Sequence, residues 1–402
     1  MKPPNPLYSS LFHPEWHEQL GNIPWNRNTA IATIQEIAKN TDRHFDRNQL
    51  WPEHPDDQEW SSKVPSTSLY WGASGVAHAL HFLQSKGYFE SECASIEVFE
   101  NARSVYLGTP DSKKYSPGLY MGELGILLLQ FRWYPSAALA TAIERCIHAT
   151  SLMKECDVMW GSPGGLIAAV KMSEWTSDLA RWQPIIEKLA FELAHKLQEV
   201  DGKHLWAQNI GGSIRYYLGP VHGLTGNWFA LEQAEKYLQS GSLDVTRNKI
   251  VHTLKTLSVQ EGNYVNWYAH TPQSKFLLQF CHGAPGIILT THRLWNVDGF
   301  SETLLAAAEC TWHAGPLSHE TGTCHGTAGN GHAFLRMHQL TADAKWLDRA
   351  RLFAMHAIAQ SDRRAKEVGR RRFSGLSGDL GLALYLHACI AIDPDFPYLE
   401  KF

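Results

Sequence analysis

The chain has 402 residues, 44% of them hydrophobic and 11% aromatic, which is enough apolar side chain for a large buried core. A formal net charge of −4 argues against a general nucleic-acid binder, and no apolar run reaches the length of a membrane-spanning helix. The proline-rich start, Met1-Lys2-Pro3-Pro4-Asn5-Pro6, lacks the apolar core of a secretion signal, so a cytoplasmic location is expected.

Residues 1–66 have mixed polarity and are expected to pack on the body of the protein. A helix is predicted from Thr29 to Lys39, and Trp51 to Asp57 reads as a loop. From Trp71 onward one pattern recurs. It reads Trp71-Gly72-Ala73-Ser74-Gly75, Met121-Gly122-Glu123-Leu124-Gly125, Trp160-Gly161-Ser162-Pro163-Gly164 and His222-Gly223-Leu224-Thr225-Gly226. Then come Cys281-His282-Gly283-Ala284-Pro285-Gly286 and Cys324-His325-Gly326-Thr327-Ala328-Gly329, and Ser374-Gly375-Leu376-Ser377-Gly378 closes the series. The first glycines of these seven frames are separated by 50, 39, 62, 60, 43 and 49 residues. Periods of this size mark repeated supersecondary units.

An apolar run follows the frames, as in Ile126 to Leu129 and Leu166 to Val170. Between frames lie amphipathic stretches such as Pro184 to Leu197 and Ala344 to Ala359. One unit is therefore an outer helix, a glycine-rich loop and an inner helix. If the units close into a ring, their loops meet at one end of the axis, and no terminal unit is left to cap. A ring also lets one domain, 1–402, exceed the usual size of a single core.

The glycines have a structural reading, since glycine permits close packing at a helix start. The weight falls on what changes between copies. The residue before the first glycine is histidine in three consecutive frames: His222, His282 and His325. Two of these frames also carry a cysteine, Cys281 and Cys324. Two cysteines and a histidine form a three-ligand set for catalytic zinc, with a fourth position open. The competing reading is two buried cysteines and a structural histidine. Seven cysteines at irregular spacing do not suggest a disulfide framework. Before the last frame, Arg363-Arg364-Ala365-Lys366 and Arg370-Arg371-Arg372 form a basic run, either a solvated stretch or an anion site at the rim.

With these motifs the chain resembles the lanthionine synthetase C-like family, from about Tyr70 to about Leu386. The most specific match is Cys281-His282-Gly283 with Cys324-His325-Gly326-Thr327-Ala328-Gly329-Asn330. The resemblance implies an all-α fold, an α/α toroid of seven helix-pair repeats. It implies one zinc ion per chain, held by Cys281, Cys324 and His325. It implies an enzyme that adds a thiolate to dehydroalanine or dehydrobutyrine and so forms a thioether. The substrate would be a dehydrated peptide or protein, with glutathione as a possible thiol donor. The resemblance gives His222 an acid/base role. It makes Asp157 an active-site carboxylate that orients His222 or handles the thiol proton, although an aspartate before a helix is also a common cap. His282 stands where some cyclases carry tyrosine, and would protonate the enolate or support a ligand.

Two positions depart from the family pattern. Leu277 replaces an arginine of a peptide cyclase, and His319 replaces a lysine of the eukaryotic-type members. Arg370, Arg371 and Arg372, or Arg215, are then the candidates for substrate binding and enolate stabilisation. The large N-terminal domain of fused synthetases is also missing, so a stand-alone protein is expected. Two other readings compete: a non-catalytic zinc or glutathione-binding adaptor, and an α/α-toroid glycosidase using Asp157 and Glu123 as its carboxylates.

Overall fold

The computed structural model of the protein describes residues 10–60, 65–210, 212–272 and 274–402, and of residues 58–60 the backbone alone. Among the described residues are fourteen α-helices. In chain order they are α1 (Arg27–Arg43), α2 (Ala73–Ser85), α3 (Ile96–Gly108), α4 (Glu123–Trp133), α5 (Ala137–Thr150), α6 (Ser162–Thr176) and α7 (Leu179–His195). They continue with α8 (Leu224–Ala234), α9 (Asp244–Leu257), α10 (Ala284–Thr291), α11 (Phe300–Ala314), α12 (Thr327–Thr341), α13 (Ala344–Val368) and α14 (Asp379–Ala391).

Their apolar faces sort them into two layers. The even-numbered helices are buried on nearly every side: in α4, every residue from Glu123 to Phe131 is buried. A helix without a polar face belongs inside other helices. The odd-numbered helices bury one stripe, such as Trp182, Ile185, Ile186, Leu189 and Leu193 of α7. Each even helix packs on the next, and α14 packs back on α2, which closes the inner ring. The outer layer is completed from the N-terminal segment, because α1 lies against α14. The predicted seven-repeat α/α toroid is therefore the fold.

All seven inner helices begin directly after a glycine: Gly72, Gly122, Gly161, Gly223, Gly283, Gly326 and Gly378. The last corrects the sequence reading, which put Gly375 at the head of the seventh frame. The working frame is Ser377-Gly378-Asp379-Leu380-Gly381, three residues further on. A Cβ at Gly381 would press on the Gly375 carbonyl, just as one at Gly226 would strike the carbonyl of Pro220, six residues upstream. Gly375 is needed for another reason, since the Tyr398 hydroxyl occupies the space a side chain would take.

The residues two places before the helix-capping glycines are bonded to one another along two arcs of the ring. Tyr70 N–H donates to the Tyr120 carbonyl (3.0 Å) and Tyr120 N–H to that of Met159 (3.2 Å). Across the ring, Cys281 N–H donates to Cys324 O (3.4 Å) and Cys324 N–H to Leu376 O (2.9 Å). These bonds lace neighbouring frames together and bring residues distant in sequence to one axis.

Several boundaries differ from the sequence reading. The predicted helix Thr29–Lys39 is the middle of α1. Helix α7 starts before Pro184 because the Asp178 side chain accepts from Arg181 N–H (3.2 Å) and caps it there. Helix α13 runs past Ala359 to Val368, where Gly369 turns left-handed at φ 85°. Short strands were not expected. β1 (Gln198–Val200) pairs with β2 (Lys203–Leu205), and β5 (Val259–Glu261) with β6 (Tyr264–Asn266). β3 (Gln208–Ile210), β4 (Ser213–Tyr217) and β7 (His270–Thr271) form a three-stranded sheet. All lie between α7 and α8 or between α9 and α10, and they account for the two longest frame spacings, 62 and 60 residues.

After α14 the chain folds back into the ring. Phe396 stacks on Phe280 with centroids 4.0 Å apart, and the Tyr398 hydroxyl donates to the Gly75 carbonyl (3.0 Å). Buried Arg336 of α12 holds Glu400 with contacts of 2.6 and 2.7 Å.

Candidate functional site

The fifth and sixth frames are neighbours because α10 packs on α12. The Cys281 and Cys324 sulfurs and a His325 ring nitrogen consequently lie within 4.8 Å of one another. The Cys324 sulfur is 3.7 Å from His325 Nε2. On the far side of the ring, His325 Nδ1 lies 3.8 Å from Glu320 Oε2. That oxygen is buried and has no hydrogen-bond partner among the described residues. A carboxylate behind Nδ1 selects the tautomer that presents Nε2 as a ligand. Glu320 is in turn held by Arg372, whose Nη1 lies 2.9 Å from Oε1.

Burial pushes the Cys324 thiol well above its usual range, and the neighbouring Cys281 adds to this. For His325, burial opposes the charged ring, but Cys324 and Glu320 outweigh it and hold the pKa up to about 9. The donor set and the orphaned Glu320 oxygen fit zinc, whose open sites are built from such ligands.

Each sulfur also has a donor that the sequence reading missed. The Tyr70 hydroxyl donates to Cys324 Sγ (2.9 Å), and Gln279 Nε2 to Cys281 Sγ (3.0 Å). Burial keeps the phenol protonated by pushing its pKa well up. Tyr70 sits in the first frame at the position that Cys324 fills in the sixth, and this was the one signal available for it.

His222 and Asp157 form the second half of the site. His222 Nδ1 lies 2.8 Å from Asp157 Oδ2. The other oxygen, Oδ1, accepts from Trp160 N–H (2.8 Å), so the fully buried carboxylate both caps the turn and holds the histidine. His282 joins the two halves. Its ring lies 6.3 Å from that of His222, and Tyr217 of β4 lies 5.8 Å from His282. Burial drops the His282 pKa to about 3, with His222 and His325 adding to the shift, so this ring is neutral at ordinary pH.

Arg370, Arg371 and Arg372 are paired within the chain, and Arg370 and Arg372 also line a cleft with His319 and Glu320. Arg370 donates to the Glu53 carbonyl. Arg371 is buried and pairs with Glu36 (2.6 Å) and Asp362 (2.7 Å), tying α1 to α13. Arg372 pairs with Asp57 as well as Glu320, and reaches the cysteine–histidine cluster through the latter. Arg215 is exposed on β4, 3.4 Å from His270. His319 is exposed and with Glu320 and Arg372 lines a cleft of about 550 Å³, while the Leu277 carbonyl accepts from Asn266 (3.2 Å). Glu123, the other carboxylate near a frame, is buried under Arg103 (2.7 Å) and Tyr115 (2.7 Å). It holds α3 to α4 and does not pair with Asp157.

Comparison with known proteins gives a consistent result. Residues 134–400 match the family model described as lanthionine synthetase C-like protein. The chain is 31% identical over 141 residues to glutathione S-transferase LANCL1 of Danio rerio, covering 34% of each chain. It is 32% identical over 194 residues to LanC-like protein GCL1 of Arabidopsis thaliana, covering 46% of this chain and 43% of that one. The matched segments thus span less than half the length of either relative. Among solved structures, nisin cyclase superposes with a TM-score of 0.63 at 16% identity, over 90% of this chain and 94% of its own, which is a likeness of fold.

Proposed function

Because the chain belongs to the lanthionine synthetase C-like family, we propose that it is a zinc-dependent enzyme that forms thioethers, adding a thiolate to a dehydroalanine or dehydrobutyrine of a peptide or protein. The observation that carries this reading is the convergence of Cys281, Cys324 and His325 beside the Asp157–His222 pair.

Cys281, Cys324 and His325 would hold the zinc. When bound, zinc supplies positive charge that keeps a substrate thiol ionised at neutral pH. The chain's own residues do the rest. Asp157 fixes the Nδ1–H tautomer of His222, which leaves Nε2 to accept the thiol proton. The thiolate attacks the alkene β-carbon, the S–C bond forms, and the π electrons move towards the α-carbon and its carbonyl. His222 then returns the proton to the α-carbon, so no external acid is needed. His282 is neutral and offers a hydrogen bond rather than a proton. Tyr217, carried in by β4, sets its ring against that of His282.

The test compares wild type with Cys324→Ala. Bound zinc is measured, and glutathione is offered with a dehydroalanine peptide while adducts are followed by mass spectrometry. The expected result is one zinc per wild-type chain, with metal and adduct both lost in the variant. Zinc bound without adduct, from either glutathione or a cysteine-containing dehydrated peptide, would favour a thiol-binding adaptor. A folded wild type without zinc would overturn the reading.

A further inference from the structure

The reaction proposed above brings an electrophilic alkene close to three sulfurs, of which two belong to the protein. If a ligand cysteine attacked, its sulfur would bond to the β-carbon, a proton would add at the α-carbon, and the site would be lost as a protein thioether. Something must direct the attack to the third sulfur.

The two protein sulfurs share a feature that the metal set alone does not require. Each receives a hydrogen bond from outside the set: Tyr70 to Cys324 at 2.9 Å and Gln279 to Cys281 at 3.0 Å. The two donors come from different places: Tyr70 reaches Cys324 across 254 positions, whereas Gln279 stands two residues before Cys281 in the turn that its backbone closes with His282. Tyr70 is almost fully buried. A thiolate accepts but cannot donate, so it selects the NH₂ end of the Gln279 amide. A hydrogen bond to a thiolate draws on the lone pairs that make it a nucleophile, and it weakens as the sulfur becomes a neutral thioether.

We propose that Tyr70 and Gln279 are positioning residues that damp the two ligand sulfurs, so that the substrate's sulfur is the one that attacks. The proposal rests on the zinc-site reading. One charge-assisted bond on each sulfur slows its alkylation about tenfold, a barrier of ~1.4 kcal/mol.

The test uses the full chain loaded with zinc, as wild type, Tyr70→Phe and Gln279→Leu. Iodoacetamide is the probe: the sulfur bonds to its methylene carbon and iodide leaves. Peptide mapping reads the rate at each cysteine. Expected is about tenfold faster labelling of Cys324 in Tyr70→Phe with Cys281 unchanged, and the reverse in Gln279→Leu. In parallel, cobalt replaces zinc, and the sulfur-to-cobalt charge-transfer band moves to lower energy in both variants, which a purely structural role would not produce. If Tyr70→Phe fails to load metal, the Gln279→Leu arm decides alone. Metal retained with cysteine-specific rates within a factor of two of wild type overturns this proposal and leaves the functional reading standing. A wild type that takes up neither metal overturns the functional reading, and this proposal with it.

Discussion

Asp157 and His222 are 65 positions apart, yet Asp157 Oδ2 and His222 Nδ1 meet at 2.8 Å. They belong to the third and fourth frames, which the packing of α6 on α8 makes neighbours. The carboxylate is buried and also bound by the Trp160 N–H, so it cannot swing away. The pair is a rigid unit, and its parts can be tested separately.

Asp157→Asn retains an acceptor for Trp160 N–H but no longer enforces the Nδ1–H tautomer of His222. Thioether formation is expected to fall by about 10²–10⁴. Zinc content should be unchanged, as measured by atomic absorption on the same sample.

Glu320→Gln removes the negative charge behind His325 and leaves the ligand itself in place. Metal affinity should drop about 10–100-fold, which is the usual cost of losing such an outer partner. Competition with a chromogenic chelator gives the number. An unchanged affinity would mean that Glu320 serves only to hold Arg372.

His332 gives a pH prediction remote from the site. It is fully buried, neither ring nitrogen has a partner among the described residues, and burial lowers its pKa from 6.5 to about 3. Between those values the unfolded chain takes up a proton that the folded chain refuses. Stability from this group is therefore complete above pH 6.5 and lost as pH falls towards 3. His332→Leu should shrink the stability difference between pH 7 and pH 5 by about 2 kcal/mol, from ~1.4 kcal/mol per pH unit. Denaturant unfolding at the two pH values checks it.

Arg336→Met tests the C-terminal segment inside the ring. The substitution leaves the largely buried Glu400 without its cation. Breaking a buried pair from one side costs about 3–5 kcal/mol. The midpoint of denaturant unfolding should fall accordingly. The double variant Arg336→Met with Glu400→Gln should recover part of the loss.

Much of this was legible from the chain because the ring repeats itself. A glycine that caps an inner helix recurs in sequence as it recurs in space, so the seven units and the positions of Cys281, Cys324, His325 and His222 could be read directly. The seventh register was not legible in the same way. Gly375, Gly378 and Gly381 are equally spaced, and only the folded chain tells them apart, with α14 starting after Gly378 and Tyr398 filling the place beside Gly375. For Arg370 to Arg372 the sequence left a solvated stretch and an anion site both open, because their partners Glu36, Glu53, Asp57 and Glu320 are far off in sequence.

The sequence by itself determined which candidate residues stand on the repeated frame, because local glycine geometry and helical periodicity depend only on near neighbours. Tertiary structure alone decided what surrounds them. Tyr70 reaches Cys324 across 254 positions, and Glu320 stands behind His325 with Arg372 behind it. The Tyr70–Cys324 contact arises because a closed ring brings its first frame back to its sixth, and no local pattern in the chain encodes that meeting.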